Sequence, residues 1–279
     1  MSFFKKMLLG LLALILINLI GLEIISFNLK SILIDGVIKE TIMVQLTSKD
    51  YNEPKYKIPE EEINKITDNE QIRELLNSKE VQELLEKYLD QVVNDLTYEE
   101  NIDDINLEQD MLEFLNNNKS TIEELVGKEI TEDMIKDATD QLDTKDLSNS
   151  YKQTIINARS NMSDSEKMVL KGYSILISNK LRIIVFILIV LDLLLIALIQ
   201  KSVYKWIKIL GASLLISGIG SIIISFVVKI IVKSLASIDS FNMGNLLNSG
   251  IIISIVGILI LIIYYLLNKT INKKKESIV

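Results

Sequence analysis

The sequence predicts an all-α integral membrane protein with four transmembrane helices and an acidic helical extracytoplasmic domain inserted between spans 1 and 2. Three observations predict this fold. Four apolar segments reach or approach the roughly 20 residues that a helix needs to cross the hydrocarbon core. Most of the charged residues lie in one long segment that separates the first apolar run from the other three. Basic residues flank the spans in places that share one side of the membrane only if there are four spans.

The predicted spans differ in how strictly apolar they are. Asn18 and Glu23 interrupt the first, Asp192 lies inside the second, the third carries only Lys208, close to its start, and the fourth carries no charge. The predicted order is a cytoplasmic N-terminus at 1–6, span 1 at 7–27, the extracytoplasmic domain at 28–180, span 2 at 181–199, a cytoplasmic turn at 200–205, span 3 at 206–228, an outer loop at 229–245, span 4 at 246–267 and a basic cytoplasmic tail at 268–279.

The first apolar run has two interpretations. Lys5 and Lys6 precede it, as they would in a secretory signal peptide. The run is longer than most signal-peptide cores, and no small-x-small cleavage site follows it. These features favour an uncleaved signal anchor, with a cleaved signal peptide as the open alternative.

Basic residues in short loops favour the cytoplasmic side of a bilayer. They occur before span 1, in the turn between spans 2 and 3, and after span 4, at Lys5, Lys6, Lys201, Lys205, Lys208, Lys269, Lys273, Lys274 and Lys275. The sequence therefore predicts a multi-pass protein of the plasma membrane, with both termini cytoplasmic and residues from about 28 to 180 outside. The Ile, Lys and Asn bias favours a bacterial source.

The predicted outer domain is strongly acidic. Residues 39–170 hold 32 of the 37 acidic residues and 15 of the 30 basic ones, a net charge of −17. This balance argues against a nucleic-acid partner, because phosphate binding needs clustered Lys and Arg. It is compatible with a cationic partner, although a charge run more often only keeps helices soluble.

Apolar periodicity and capping residues predict helices in this domain. The predicted ranges are 60–76, 79–97, 107–117, 121–127, 131–142, 147–159 and 163–179. Ser78 is a predicted N-cap, and capping boxes are predicted at Thr67 with Glu70, Ser120 with Glu123 and Ser163 with Glu166. Span 1 is expected to continue as a helix through about Thr47, and the last helix is expected to run into span 2 without a break. Such helices either couple the domain to the membrane or merely shorten the loops.

The candidate site residues lie in or beside the spans, where polar groups are costly. Asp192 and Ser213 lie at similar depths in adjacent antiparallel helices, so a hydrogen bond between them is expected, with Asn18 as the next candidate partner. Asp192 is then either a group that fastens two helices or a protonatable carboxyl on an ion path.

A serine appears at every fourth position of span 3, at Ser213, Ser217, Ser221 and Ser225, with Gly211, Gly218 and Gly220 beside them. Small residues on one face predict a close-packed seam within the chain or in a homo-oligomer. A polar stripe that lines a cavity is the alternative. Glu23, Lys229 and Lys233 are predicted at the outer interface, where long side chains reach water.

No motif in the sequence carries recognisable chemistry. The chain has no Cys and no His, which removes most metal, haem and nucleophilic sites, so no cofactor is expected. Residues 103–115 resemble a calcium loop but carry Gln109 and Leu115 where the loop needs Gly and Glu. Two hypotheses follow: a non-enzymatic envelope protein whose outer domain binds a protein partner, senses or scaffolds, or a transporter, permease or channel component that uses Asp192 and the serine face. An enzyme acting on lipids is a third and weaker hypothesis.

Overall fold

The computed structural model describes residues 3–39, 42, 77–98, 102, 106–140, 144–202, 204–236 and 243–276. All regular secondary structure in these ranges is helical. Four of the described helices are long and apolar enough to cross a membrane. The described helices are α1 (Phe3–Leu33), followed by a π-helix (Ile34–Ile38), α2 (Lys79–Thr97), α3 (Leu107–Asn117), α4 (Lys119–Val126), α5 (Glu132–Asp140), α6 (Thr144–Asn161), α7 (Asp164–Ile177), α8 (Asn179–Gln200), α9 (Lys205–Ala236) and α10 (Gly244–Glu276).

The chain divides into two compact units. The first, called here the membrane unit, comprises Met1–Gly36 and Leu176–Val279; the second, called the acidic unit, comprises Val37–Ile175. In the membrane unit α1 contacts α8, α9 and α10, and the most extensive contact is between α9 and α10. In the acidic unit α2 packs on α3 and α6, and α3 packs on α4 and α5.

The four candidate spans match the predicted ones and are longer at their ends. α9 runs to Ala236 and α10 to Glu276, so part of the predicted outer loop and tail is helical. A helix pairs its own backbone groups, so it can continue past the apolar run into the polar interface. On span 1, helical structure continues through the π-helix to Ile38. The rest of the extension predicted to Thr47 lies outside the described residues, apart from residues 39 and 42, which are helical.

The prediction of an unbroken helix from residue 163 into span 2 is wrong. α7 ends at Ile177, and Ser178 has an extended backbone (φ −70°, ψ 136°). The Ser178 hydroxyl accepts a hydrogen bond from the Leu181 amide at 3.2 Å and so caps α8. A free backbone N–H at a helix start is satisfied by such a side chain. The Ser-Asn pair at 178–179 could have predicted this helix start, but apolar residues on both sides of it resemble one continuous helix.

The acidic unit confirms most of the predicted helices. α2 and α3 have the predicted bounds, and Ser78 caps α2 through the Val81 amide at 3.3 Å. The capping box at Ser163 also forms. The Glu166 carboxylate accepts a hydrogen bond from the Ser163 backbone amide at 2.7 Å, and the Ser163 hydroxyl accepts one from the Glu166 backbone amide at 3.3 Å. The predicted helix 60–76 and the box at Thr67 and Glu70 lie outside the described residues.

The capping box predicted at Ser120 is wrong. α4 starts before that residue, at Lys119, and its N-cap Asn118 makes no side-chain capping bond. Glu123 instead accepts a hydrogen bond from the Ile130 amide at 2.9 Å, which fastens the chain that follows the helix. Only Asn118 separates the end of α3 from the start of α4, so α4 begins directly after this one-residue connection.

Candidate functional site: polar groups of the membrane unit

The serine face of α9 is buried against α1. Ser213, Ser217, Ser221 and Ser225 are all nearly inaccessible. The Ser217 hydroxyl donates to the Ile17 carbonyl of α1 at 2.8 Å. Ser221 and Ser225 donate to the carbonyls four residues earlier, at 3.0 and 2.8 Å. Three of the four hydroxyls are therefore satisfied within the helix pair.

The predicted hydrogen bond between Asp192 and Ser213 is not formed. Both side chains are buried, with 5% and 1% of their surface exposed. Oδ2 of Asp192 and Oγ of Ser213 each lack a hydrogen-bond partner among the described residues. Asp192 lies eight residues before the end of α8 and Ser213 eight residues after the start of α9, or about 12 Å along each axis. Their depth was predictable, whereas their rotation about the helix axes was not.

Asn18 is not a partner of Asp192. Its side chain is exposed on α1, and its Nδ2 donates to the Leu14 carbonyl of the same helix at 2.7 Å. Glu23, Lys229 and Lys233 were the charges predicted at the outer interface, and Glu23 lies on α1. Lys229 is exposed on α9, and the side chain of Lys233 lies outside the described part of the chain.

Glu23 lies near Arg182, a residue of α8. The Arg182 guanidinium carbon is 5.3 Å above the centre of the Phe27 ring, and Nη2 donates to the Ser26 carbonyl at 3.3 Å. Oε2 of Glu23 and Nε of Arg182 are buried without hydrogen-bond partners among the described residues. Arg182 thus joins α8 to α1 through a cation–π contact and a backbone carbonyl.

A second set of polar contacts, missed from the sequence, joins the end of α1 and the π-helix to the start of α10. Ser249 donates to Asn28 Oδ1 at 3.1 Å. One turn nearer the start of α10, Asn245 donates to Asp35 Oδ2 at 2.9 Å and also to Ser31. Two polar pairs at four-residue spacing, Ser31 with Asp35 and Asn245 with Ser249, were the sequence signal that could have predicted these contacts.

Four glycines hold α9 and α10 in close contact. A Cβ on Gly218 would lie 2.6 Å from the Gly250 carbonyl oxygen, and one on Gly257 would lie 2.8 Å from the Gly211 carbonyl oxygen. Each helix supplies two glycines seven residues apart, so the same face meets the partner at both points. Gly211 and Gly218 were singled out in the sequence, while Gly250 and Gly257 were missed. Gly220 faces open space.

Buried polar contacts join the helices of the acidic unit. Asp95 of α2 is almost fully buried and accepts a hydrogen bond from the Tyr151 hydroxyl of α6 at 2.6 Å. Arg159 of α6 donates to the backbone carbonyls of Asp95 and Tyr98 at the end of α2. These contacts hold α6 against the C-terminal end of α2.

A second polar contact joins α2 to α3. Tyr88 donates to Asp110 Oδ2 at 2.7 Å, and Lys87 forms an ion pair with the same carboxylate. Burial raises the pKa of Asp110, but the two hydrogen bonds and the Lys87 charge together hold that pKa below its usual value. Burial, followed by the Asp110 contact, raises the pKa of the Tyr88 phenol.

Within the described ranges, no group of three or more acidic side chains is placed to hold a metal ion. Residues 103–105 of the rejected calcium loop lie outside those ranges. Comparison with known proteins yields no matching family model, no matching curated protein and no matching solved structure.

Proposed function

We propose that the chain is a non-enzymatic multi-pass protein of the plasma membrane whose acidic unit lies outside the cell membrane and binds a protein partner. Both termini are then cytoplasmic, as the distribution of Lys5, Lys6 and the basic C-terminal residues favours. The observation that carries the binding function is an exposed apolar pair on α7 of the acidic unit.

Met168 and Val169 are adjacent on α7 and expose 78% and 72% of their surface. They are the two most exposed large apolar residues among those described in this unit, and they lie between Lys167 and Lys171. Exposed neighbouring apolar side chains rimmed by polar residues are typical of interaction sites. A protein surface that covers this pair would remove two large apolar groups from water, which is favourable at about 25 cal/mol per Å².

Site-specific photo-crosslinking in intact cells tests this function. A photoreactive phenylalanine analogue at Val169 is expected to give one discrete protein adduct. The same analogue at Lys167, which is exposed on the opposite side of α7, is the matched control and is expected to give none. Adducts with lipid alone, equal adducts at both positions, or an adduct with a cytoplasmic protein would each contradict the proposal.

A transporter or channel component is the second candidate function. The observation that favours it is the pair of unpartnered buried oxygens, Asp192 Oδ2 and Ser213 Oγ, at one depth in the membrane unit. A buried carboxyl that lacks a partner is a typical proton-exchange group in membrane helices. The satisfied hydroxyls of Ser217, Ser221 and Ser225 support the non-transporting function instead, because they are engaged in helix packing.

The transporter candidate makes one sharp prediction. Purified protein in liposomes is expected to carry a proton flux that Asp192→Asn abolishes, since the amide cannot release a proton. Ser221→Ala is the matched control, because that hydroxyl is bonded to its own helix and its loss leaves Asp192 unchanged. If the native protein carries no proton flux, or if Asp192→Asn carries the same flux as the native protein, the transporter function is contradicted.

A further inference from the structure

Asn18 places an exposed amide near the middle of the membrane. It lies 12 residues, or about 18 Å, from Lys6 along α1, close to the middle of a hydrocarbon core roughly 30 Å thick. One amide N–H bonds to the Leu14 carbonyl. The second N–H and Oδ1 have no partner among the described residues. A polar group left open to lipid is unfavourable, so Asn18 favours association with another polar group.

The helix face around Asn18 is shaped for close approach. Gly10, Leu14 and Gly21 lie on the same side of α1 as Asn18, since their spacings are multiples of a turn. A Cβ added to Gly10 or Gly21 would meet nothing within 4 Å. Gly211 and Gly218 of α9 and Gly250 and Gly257 of α10 differ, because the two helices already pack against each other at these positions. The face of α1 that contains Gly10, Leu14, Asn18 and Gly21 therefore remains open to a helix from outside the chain.

We propose that this face binds the same face of a second copy of this chain, forming a membrane-embedded dimer. An asparagine amide is both donor and acceptor, so two of them can pair reciprocally. Two copies inserted in the same direction are related by a twofold axis along the membrane normal, which puts both Asn18 side chains at one depth. An unrelated helix would need its own polar residue at that depth. The dimer is independent of the partner proposed for α7.

Disulfide crosslinking tests the dimer directly, because the native chain has no cysteine. Leu14→Cys places a thiol one turn from Asn18 on the proposed face. Ile187→Cys on α8, also exposed, is the matched control. Mild oxidation in membranes is expected to yield a covalent dimer from Leu14→Cys and only background from Ile187→Cys. Equal crosslinking of both variants, or an adduct of Leu14→Cys with a different protein, would overturn the proposal.

Two further substitutions separate specific pairing from chance collision. Asn18→Leu in the Leu14→Cys background is expected to lower the dimer association constant roughly tenfold, which energy transfer in lipid vesicles can measure. Gly21→Leu is expected to act similarly by blocking close approach, without disturbing its own chain, which leaves that position open. An association constant that neither substitution changes would contradict a dimer formed through this face.

Discussion

Gly218→Ala is expected to separate α9 from α10, whereas Gly220→Ala two residues away is expected to leave them together. A Cβ at Gly218 would lie 2.4 Å from the Ser254 hydroxyl, 2.6 Å from the Gly250 carbonyl oxygen and 2.7 Å from the Ser254 amide nitrogen. The hydroxyl can rotate away, but the two backbone atoms cannot move without displacing α10. A Cβ at Gly220 would meet nothing within 4 Å.

The expected difference between these two variants is large. Overpacking a tight contact costs up to about 3 kcal/mol, whereas Gly→Ala in an open helical position gains about 0.5–1 kcal/mol. Thermal unfolding of the purified protein in one detergent is the measurement. Gly218→Ala is expected to lower the unfolding temperature by roughly 6–12 °C. Gly257→Ala should behave in the same way, since its Cβ would lie 2.6 Å from the Leu215 amide nitrogen. Equal unfolding temperatures for Gly218→Ala and Gly220→Ala would show that the close contact between α9 and α10 at Gly218 does not limit the size of the side chain there.

The sequence predicts the helices well because each depends on local or one-dimensional information. The spans follow from the length of an apolar run, and α2 follows from its amphipathic stripe and the Ser78 cap. The break at Ser178 was missed because apolar residues on both sides of one capping residue look like a single helix. The early start of α4 was missed because its N-cap, Asn118, makes no side-chain capping bond, whereas Ser120 with Glu123 resembles a capping box.

The candidate site was less predictable because it depends on how each helix is rotated. Asp192 and Ser213 are at the same depth, as counting residues shows, yet their oxygens do not meet. Asn18 was grouped with them but is exposed. Gly250 and Gly257 become informative only when α9 lies against α10, since the closeness of two backbones is a property of the pair. A single sequence carries no record of which faces meet.

Arg159→Met is expected to loosen the contact between α2 and α6 in the acidic unit. Arg159 supplies two hydrogen bonds to carbonyls at the end of α2, a place where free carbonyls and the helix dipole favour a cation. Methionine keeps much of the side-chain volume but leaves both carbonyls without these donors. A hydrogen bond to a charged group is worth about 1.5–3 kcal/mol. The bond to the Asp95 carbonyl is partly buried, whereas water can replace the exposed bond to the Tyr98 carbonyl, so a net loss of about 2 kcal/mol in unfolding free energy is expected.

Hydrogen exchange of the full-length protein in lipid nanodiscs measures this loss locally. Amides in the last turn of α2 and along α6 are expected to exchange roughly 30-fold faster in Arg159→Met, as a loss of about 2 kcal/mol in opening free energy implies. Tyr98→Phe is the matched control, because only the backbone carbonyl of Tyr98 accepts from Arg159 and its side chain is exposed. Exchange rates that are the same in Arg159→Met and Tyr98→Phe would refute a fastening role for the guanidinium.

Tyr151→Phe extends this test, because Tyr151 and Arg159 hold different atoms of Asp95. Removing the phenolic hydroxyl leaves the buried Asp95 carboxylate without this hydrogen-bond donor and is expected to lower the unfolding free energy by about 1–3 kcal/mol. The two contacts share one residue, so the double variant is expected to lose less than the sum of the single losses. Additive losses would show that α6 holds α2 at two independent points, whereas a smaller combined loss would identify Asp95 as the common point of attachment.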